Sequence, residues 1–202
     1  QVLRGQVAAV EGKPRLDRTW TVGQDGDFPL EGLDRDHVPA LPADGSAFTI
    51  EASETSVILT TSALRLTLQL DPLQLEWRSA EGDLLAADLP RRAYTYDRTG
   101  RAIAHYLRLG DDERFYGLGE TSGSLNKRGR RVTLRPLDAL GYNAETGDPL
   151  YKHFPFYITQ RTATNHAFGL FYDNLAPTTF DFGAEIDAFW GDYRCYRADD
   201  GD

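Results

Sequence analysis

The loop and strand between Leu137 and Ile158 hold the residue types best suited to chemistry. Asp138 supplies a carboxylate for hydrogen bonds to hydroxyl groups, and Tyr142 supplies a ring for the apolar face of a sugar. The polar, glycine-bearing part runs for about a dozen residues, and connections of that length are usually functional or mobile. From these residues alone, the loop is either a carbohydrate contact or an ordinary surface loop.

Carboxylates elsewhere in the chain do not form a recognisable catalytic pair. A glycosidase needs two carboxyl groups that face each other across a sugar. The segment Phe189–Asp192 places aromatic rings beside a carboxylate, but the next residues, Tyr193–Cys195, add no second acid. We therefore interpret this segment as a terminal strand with a turn.

The remaining motifs favour structural roles over metal or cofactor chemistry. The run Gly117–Gly123 places its third glycine one residue late for a dinucleotide-binding loop, and no helix follows, so it predicts a tight β-turn with close backbone approach. The single Cys195 excludes an internal disulfide and a cysteine zinc site. The histidines lack metal-ligand spacing: His37, His105, His153 and His166. We expect no metal site and no cofactor.

The charge balance argues against one large class of partner. The chain has 22 Lys and Arg against 31 Asp and Glu, whereas binding a phosphate backbone needs a basic face. The densest basic run, Lys127–Arg131, predicts a solvated loop or strand edge, with an anion or partner contact as the alternative. No apolar stretch approaches the ~18 residues of a membrane-spanning helix. Residues Gln1–Gln6 lack an apolar signal core, so we expect a cytoplasmic protein with no nucleic-acid or membrane partner.

From Thr55 onward, apolar residues recur mostly at every second position. In Leu64–Leu70 and Leu73–Trp77 they alternate with polar residues, which is typical of half-buried strands, and Asp71-Pro72 separates the two runs. Further strands are predicted at Val57–Thr60, Ile103–Leu109, Val132–Arg135, Phe154–Thr159, Ala167–Tyr172, Thr178–Phe182 and Ala188–Trp190. Many short strands with frequent turns predict an all-β fold, an antiparallel β-sandwich. The predicted inward-facing residues are Leu64, Leu66, Leu68, Leu70, Phe156, Ile158, Phe168, Leu170 and Tyr172.

The first 45 residues differ in composition from the rest. Glycines, prolines and acidic residues interrupt them repeatedly, which is typical of loops. We therefore expect one domain over residues 1–202, with residues 1–45 as a loop-rich edge and residues 46–202 as the main sandwich.

Four motifs, in order, resemble those of one known family. Phe115–Glu120 reads FYGLGE and resembles a signature of the N-terminal domain of glycoside hydrolase family 31. Asp148–Lys152 and Pro155–Ile158 then match DPLYK and PFYI, Gly169–Asn174 matches GLFYDN, and Phe180–Gly183 matches FDFG. On these motifs the chain is identified as a member of the family.

The resemblance implies a sandwich of galactose-mutarotase-like type that precedes a catalytic (β/α)8 barrel. The family's enzymes are mostly retaining α-glycosidases, such as α-glucosidases and α-xylosidases, whose nucleophile and acid/base are aspartates of the barrel. Trp190–Asp192 matches three letters of the family's WxDMNE segment and then departs from it. The barrel is therefore expected to be absent from this chain, which should hold no catalytic residue and be inactive alone.

The resemblance also implies a role for the long loop. In this family a loop of the N-terminal sandwich presents an aspartate near the scissile bond, and Asp138 falls at that position. Its flank, Arg135–Ala139, differs from the family's usual WNTDA, so the resemblance does not specify the sugar. It implies substrate-binding roles for Asp138 and Tyr142. It also implies an α-linked oligosaccharide or glycoside as the substrate and the C-terminal barrel of the same polypeptide as the partner.

Two other functions stay open from the sequence. A non-catalytic carbohydrate-binding module would need only the exposed aromatic and acidic side chains. An aldose 1-epimerase shares the sandwich and uses a histidine pair with a carboxylate as acid and base, for which His105, His153 and His166 are the candidates.

Overall fold

The computed structural model describes residues 48–97, 101–135, 137–174, 176–187 and 191–200. These residues form fourteen strands and no helix, which confirms the all-β prediction. The strands are β1 (Thr49–Ala52), β2 (Ser56–Thr60), β3 (Leu64–Leu70), β4 (Leu73–Ser79), β5 (Leu84–Ala87), β6 (Tyr94–Tyr96), β7 (Ile103–Arg108), β8 (Glu113–Gly119), β9 (Arg131–Leu134), β10 (His153–Arg161), β11 (His166–Phe171), β12 (Thr178–Asp181), β13 (Ile186–Asp187) and β14 (Gly191–Ala198).

The strands pair antiparallel in three sheets. One sheet has the order β1-β2-β3-β4-β5, the second β11-β10-β8, and the third β6-β7-β14-β12-β9 with β13 beside β14. The two alternating runs form the β3–β4 hairpin, where Leu66 pairs with Trp77 and Leu68 with Leu75. A turn at Asp71-Pro72 joins them, so proline ends the ladder as predicted.

An aromatic core lies between the three-stranded and six-stranded sheets. Phe115 of β8 stacks on Phe182, which follows β12, with ring centroids 4.6 Å apart. Tyr157 of β10 packs edge-on against the same ring at 5.0 Å. The buried cluster comprises Phe115, Leu118, Val132, Leu134, Tyr157, Phe180, Phe182, Tyr196 and Ala198. Because the members of the cluster come from both sheets, these two sheets are the two layers of the sandwich.

A chain of buried polar groups connects all three sheets. Asp88, which follows β5, accepts a 2.9 Å hydrogen bond from the backbone N–H of Leu75 in β4. The other carboxylate oxygen of Asp88 lies 2.8 Å from Nε2 of His105 in β7. Nδ1 of His105 lies 2.8 Å from the hydroxyl of Tyr172, which follows β11. These pairings satisfy polar groups that would be costly to bury alone.

The predicted inward-facing set is confirmed for Leu66, which is 7% exposed, and for Leu170 and Tyr172, which pack against the buried cluster. Leu64, Leu68 and Phe168 are half-buried. The prediction is wrong for Leu70, Phe156 and Ile158, which are 44%, 41% and 41% exposed. In β10 the inward residues are instead Tyr157 and Thr159, which are 2% and 0% exposed. In β10, apolar residues occur at both odd and even positions, so a period-two pattern does not indicate which face is buried. Packing against the aromatic core selects the face that carries Tyr157.

The glycine run is not the predicted tight turn. Gly117 and Gly119 lie within β8, and the pairing of β8 with β10 shifts register between His153 and Tyr157. A Cβ at Gly117 would lie 2.7 Å from the Phe156 carbonyl oxygen. The glycine therefore permits two backbones to approach closely at a bulge.

Some interpretations fall outside the described residues. These are the loop-rich edge over residues 1–45, the strand at Ala188–Trp190, and the rings of Phe189 and Trp190. Within the described ranges, no helix is long and apolar enough to cross a membrane.

Candidate functional site

The loop between β9 and β10 carries both predicted site residues on the surface. Asp138 is exposed near the start of the loop, and Tyr142 is 54% exposed a turn later. Near the end of the loop, Tyr151 is 46% exposed. The structure brings the three side chains together although the first and the last are thirteen positions apart in sequence.

Tyr151 links the acid to the second ring. Its hydroxyl is close enough to the Asp138 carboxylate for that group to affect the pKa of the phenol. Its ring meets Tyr142 edge-on, with centroids 5.8 Å apart and an interplanar angle of 87°. Desolvation, then the hydrogen bond and negative charge of Asp138, raise the pKa of the Tyr151 hydroxyl. Because a carboxylate accepts several hydrogen bonds, the exposed Asp138 has acceptor capacity for a ligand. We name this cluster, Asp138, Tyr142 and Tyr151, the loop site.

The backbone of the loop is held at several points. Ala139 and Leu150 are both 8% exposed, so each end of the loop is anchored in the protein. Between them, the Asn143 side chain accepts a 2.8 Å hydrogen bond from the backbone N–H of Glu145, an Asx-type turn. The Gly147 N–H donates to the Asn143 carbonyl at 2.6 Å. These bonds limit the shapes available to the segment that presents the loop site.

Asp148 clamps the base of the loop to the segment after β8. Its carboxylate accepts hydrogen bonds from the Ser122 backbone N–H at 2.9 Å and the Ser122 hydroxyl at 3.0 Å. Arg130 reaches the same carboxylate at 3.4 Å and donates to the Ser122 carbonyl at 2.6 Å. The Asp148 side chain is 19% exposed, so this acid of the family motif holds the loop in place.

The histidines that would serve an epimerase lie apart. His153 is the first residue of β10 and pairs with Gly119 of β8. His166 is the first residue of β11 and pairs with Arg161, the last residue of β10, so the two histidines lie at opposite ends of β10. His105 is occupied in the polar chain between the sheets. The described residues contain no group of three or more metal-ligating side chains, and His37 lies outside them. The structure therefore assembles no histidine pair with a carboxylate from these three candidates.

The prediction of a solvated loop or strand edge for the basic run is right at one end and wrong at the other. Lys127 is 4% exposed and donates to the Ser124 carbonyl at 2.9 Å, and burial lowers its pKa. Arg128 donates to the Gly110 carbonyl at 2.7 Å. Arg131 binds the carboxylate of Asp181 at 2.8 Å. Lys127 is therefore a buried cation, whereas Arg131 stays exposed on the edge strand β9 while it binds an acid of β12.

Tyr151 is the site residue that sequence reasoning missed. It lies inside the DPLYK motif, yet nothing in a period-two pattern marks its hydroxyl as a partner of Asp138. The available signal was a second tyrosine on the same loop as the acid. Only the folded loop shows that this tyrosine lies near the acid.

The interaction between Asp138 and Tyr151 predicts a change in the titration of the Tyr151 hydroxyl when Asp138 is replaced. Replacing Asp138 with asparagine removes a charge that favours the neutral phenol, so the pKa of Tyr151 should fall toward the ordinary tyrosine value. Ultraviolet difference titration, with Tyr151→Phe to assign the signal, measures the change. Glu145→Gln, an exposed acid on the same loop, should leave the titration unchanged. An equal shift in both variants would contradict the pairing.

Comparison with known families decides the relationship. A family model described as the glycosyl hydrolase 31 N-terminal galactose mutarotase-like domain matches residues 1–181. The chain belongs to this family. The all-strand, antiparallel architecture of the described residues is that of a galactose-mutarotase-like domain.

Relatives of the glycoside hydrolase family 31 domain are much longer enzymes. Alpha-glucosidase 2 of Bacillus thermoamyloliquefaciens is 32% identical over 155 residues, which is 76% of this chain and 18% of that protein. Alpha-xylosidase XylQ of Lactiplantibacillus pentosus is 28% identical over 67% of this chain and 17% of its own length. The structure of a Flavobacterium johnsoniae family 31 dextranase complexed with glucose has a TM-score of 0.65 and 31% identity, covering 76% of this chain and 18% of the dextranase. The chain thus spans under a fifth of each relative.

Proposed function

We propose that this chain is the N-terminal accessory domain of a retaining α-glycosidase of the α-glucosidase or α-xylosidase type. Its loop completes the substrate site of a catalytic barrel in the same polypeptide. The observation that carries the proposal is the loop site: an exposed carboxylate on the same loop as two exposed tyrosine rings that pack against each other. Carboxylates bind sugar hydroxyls and tyrosine rings pack against apolar sugar faces.

In this proposal Asp138 binds and orients the substrate and takes no part in bond cleavage. A carboxylate that holds a hydroxyl near the scissile bond fixes the ring for attack and lowers the barrier when the bond strengthens in the transition state. The nucleophile and the acid that protonates the leaving oxygen come from the barrel. The 202-residue chain alone is therefore expected to be inactive.

The relatives support an α-linked substrate class. They include an alpha-glucosidase and an alpha-xylosidase by name. The dextranase structure holds glucose, and a variant of that enzyme holds isomaltotriose. An α-linked oligosaccharide or glycoside is accordingly the substrate that we propose for the polypeptide containing this domain.

Asp138→Ala in the full-length enzyme should lower kcat/KM on its α-linked substrate by about tenfold or more, because a hydrogen bond to a charged group contributes ~1.5–3 kcal/mol. Stability of the domain should change little, because the side chain is exposed. Steady-state kinetics and thermal melting of the same preparation measure both quantities.

Glu145→Ala is the matched control, since it removes an exposed acid from the same loop. It should leave kcat/KM within about twofold of the wild type. Unchanged kinetics for Asp138→Ala would remove this residue from the substrate site. Sugar binding by the 202-residue chain alone, without any effect of Asp138 on catalysis, would favour a carbohydrate-binding module.

A further inference from the structure

The outer surface of the three-stranded sheet is apolar and uncovered among the described residues. On β10, Phe154, Phe156 and Ile158 point outward at alternate positions and are 59%, 41% and 41% exposed. Phe171 of β11 lies opposite Phe156 and is 43% exposed. Tyr116 of β8 lies opposite Ile158. We name these five residues the aromatic face.

The aromatic face has a defined shape. The Phe156 ring lies against Gly169 of β11, where a Cβ would come within 2.5 Å of Cε2. Glycine at this position lets the ring lie flat across the sheet. The Tyr116 hydroxyl lies 3.5 Å from Oε1 of Gln160 at one end of the face. Polar groups thus border an apolar centre, which is the usual anatomy of an interface.

The aromatic face adjoins the loop site along the chain. Tyr151 ends the loop and Phe154 begins the face three residues later, a span of about 10 Å of extended backbone. Phe154 is thus the residue of the face that lies nearest to the loop site along the chain.

We infer that the aromatic face docks onto the catalytic domain of the same polypeptide, an inference that rests on the proposed function. At 41–59% exposure, its four most exposed side chains present about 400 Å² of apolar surface. That is too little for a stable complex of free partners, which buries roughly 800 Å² on each side. It suits the centre of a contact between tethered domains, because a covalent link supplies a high effective concentration.

Charge argues against a second copy of this chain as the occupant. Each copy carries a net charge of −9, so two copies would repel each other. The relatives, of which this chain covers 17–18%, carry most of their length outside this domain. The neighbouring domain is therefore the occupant to which the face is assigned.

A protease site inserted after Asp202 of the full-length polypeptide tests the assignment. After cleavage, the wild-type pieces should stay together in gel filtration. Phe154→Glu combined with Phe171→Glu should weaken that association by at least about 30-fold. The matched control is Leu125→Glu, which changes a 75% exposed leucine of another loop and should leave the pieces together.

Three outcomes would overturn the assignment. These are separation of the wild-type pieces, unchanged association of the double variant, and a dimer of the 202-residue chain that the double variant disperses. Circular dichroism melting of the 202-residue variant separates lost docking from lost folding, and Phe154→Ser with Phe171→Ser replaces the glutamates if they prevent folding. Asp138→Ala should leave the cleaved pieces associated. Association of the pieces therefore tests the docking face, whereas kcat/KM of Asp138→Ala tests the proposed function, and either result can fail without the other.

Discussion

Replacing Glu113 with alanine is expected to lower the free energy of unfolding by about 3–5 kcal/mol, because it leaves a buried cation without its counter-charge. Glu113 of β8 is 2% exposed. Its Oε1 lies 3.2 Å from Arg161 of β10 and 3.5 Å from Arg194 of β14, so one carboxylate joins both layers of the sandwich. Arg194 is 1% exposed, and its Nε and Nη2 have no hydrogen-bond partner among the described residues.

Asp112→Ala provides the matched control for Glu113. Asp112 binds the same Arg161 at 2.9 Å, but its side chain is 21% exposed and its loss leaves Glu113 in place. We expect a decrease of about 1 kcal/mol for this variant. Urea unfolding of the chain measures both changes. Equal decreases would show that burial of the Arg194 charge is not the cause.

Gly117→Ala is expected to lower the free energy of unfolding by about 3 kcal/mol or more, the sum of backbone strain and a steric clash. The φ angle of Gly117 is +129°, in the region that side chains disfavour. The added Cβ would lie 2.7 Å from the Phe156 carbonyl oxygen and 3.0 Å from Cα of Tyr157. Both neighbours are backbone atoms, so no side-chain rotation relieves the contact. The bulge that begins β10 would have to move.

Gly129→Ala is the control that separates backbone strain from the steric clash. Gly129 also has a positive φ, +75°, but a Cβ there would meet nothing within 4 Å. Strain alone should cost about 1–2 kcal/mol. Thermal and urea unfolding of the two variants compare them directly. A cost at Gly117 no larger than at Gly129 would contradict the close approach of β8 and β10.

The fold class and the family can both be read from the amino-acid pattern. In Leu64–Leu70, apolar and polar residues alternate without exception, so only one face can be buried and the strand follows. The cluster of family motifs over residues 115–183 identified the galactose-mutarotase-like domain, which the family match confirms. These signals are local, so a single sequence contains them.

Tertiary structure alone decided the orientation of β10 and the composition of the loop site. Phe156 and Tyr157 are both apolar enough to be buried, and only the aromatic core selects Tyr157 for the interior. Tyr151 comes near Asp138 only in the folded loop, in which Ala139 and Leu150 are both buried. Arg128 and Arg131 of the basic run likewise bind acceptors far away in sequence, the Gly110 carbonyl and the Asp181 carboxylate. Each outcome depends on groups distant in sequence, whose approach is set by packing and not by local residue pattern.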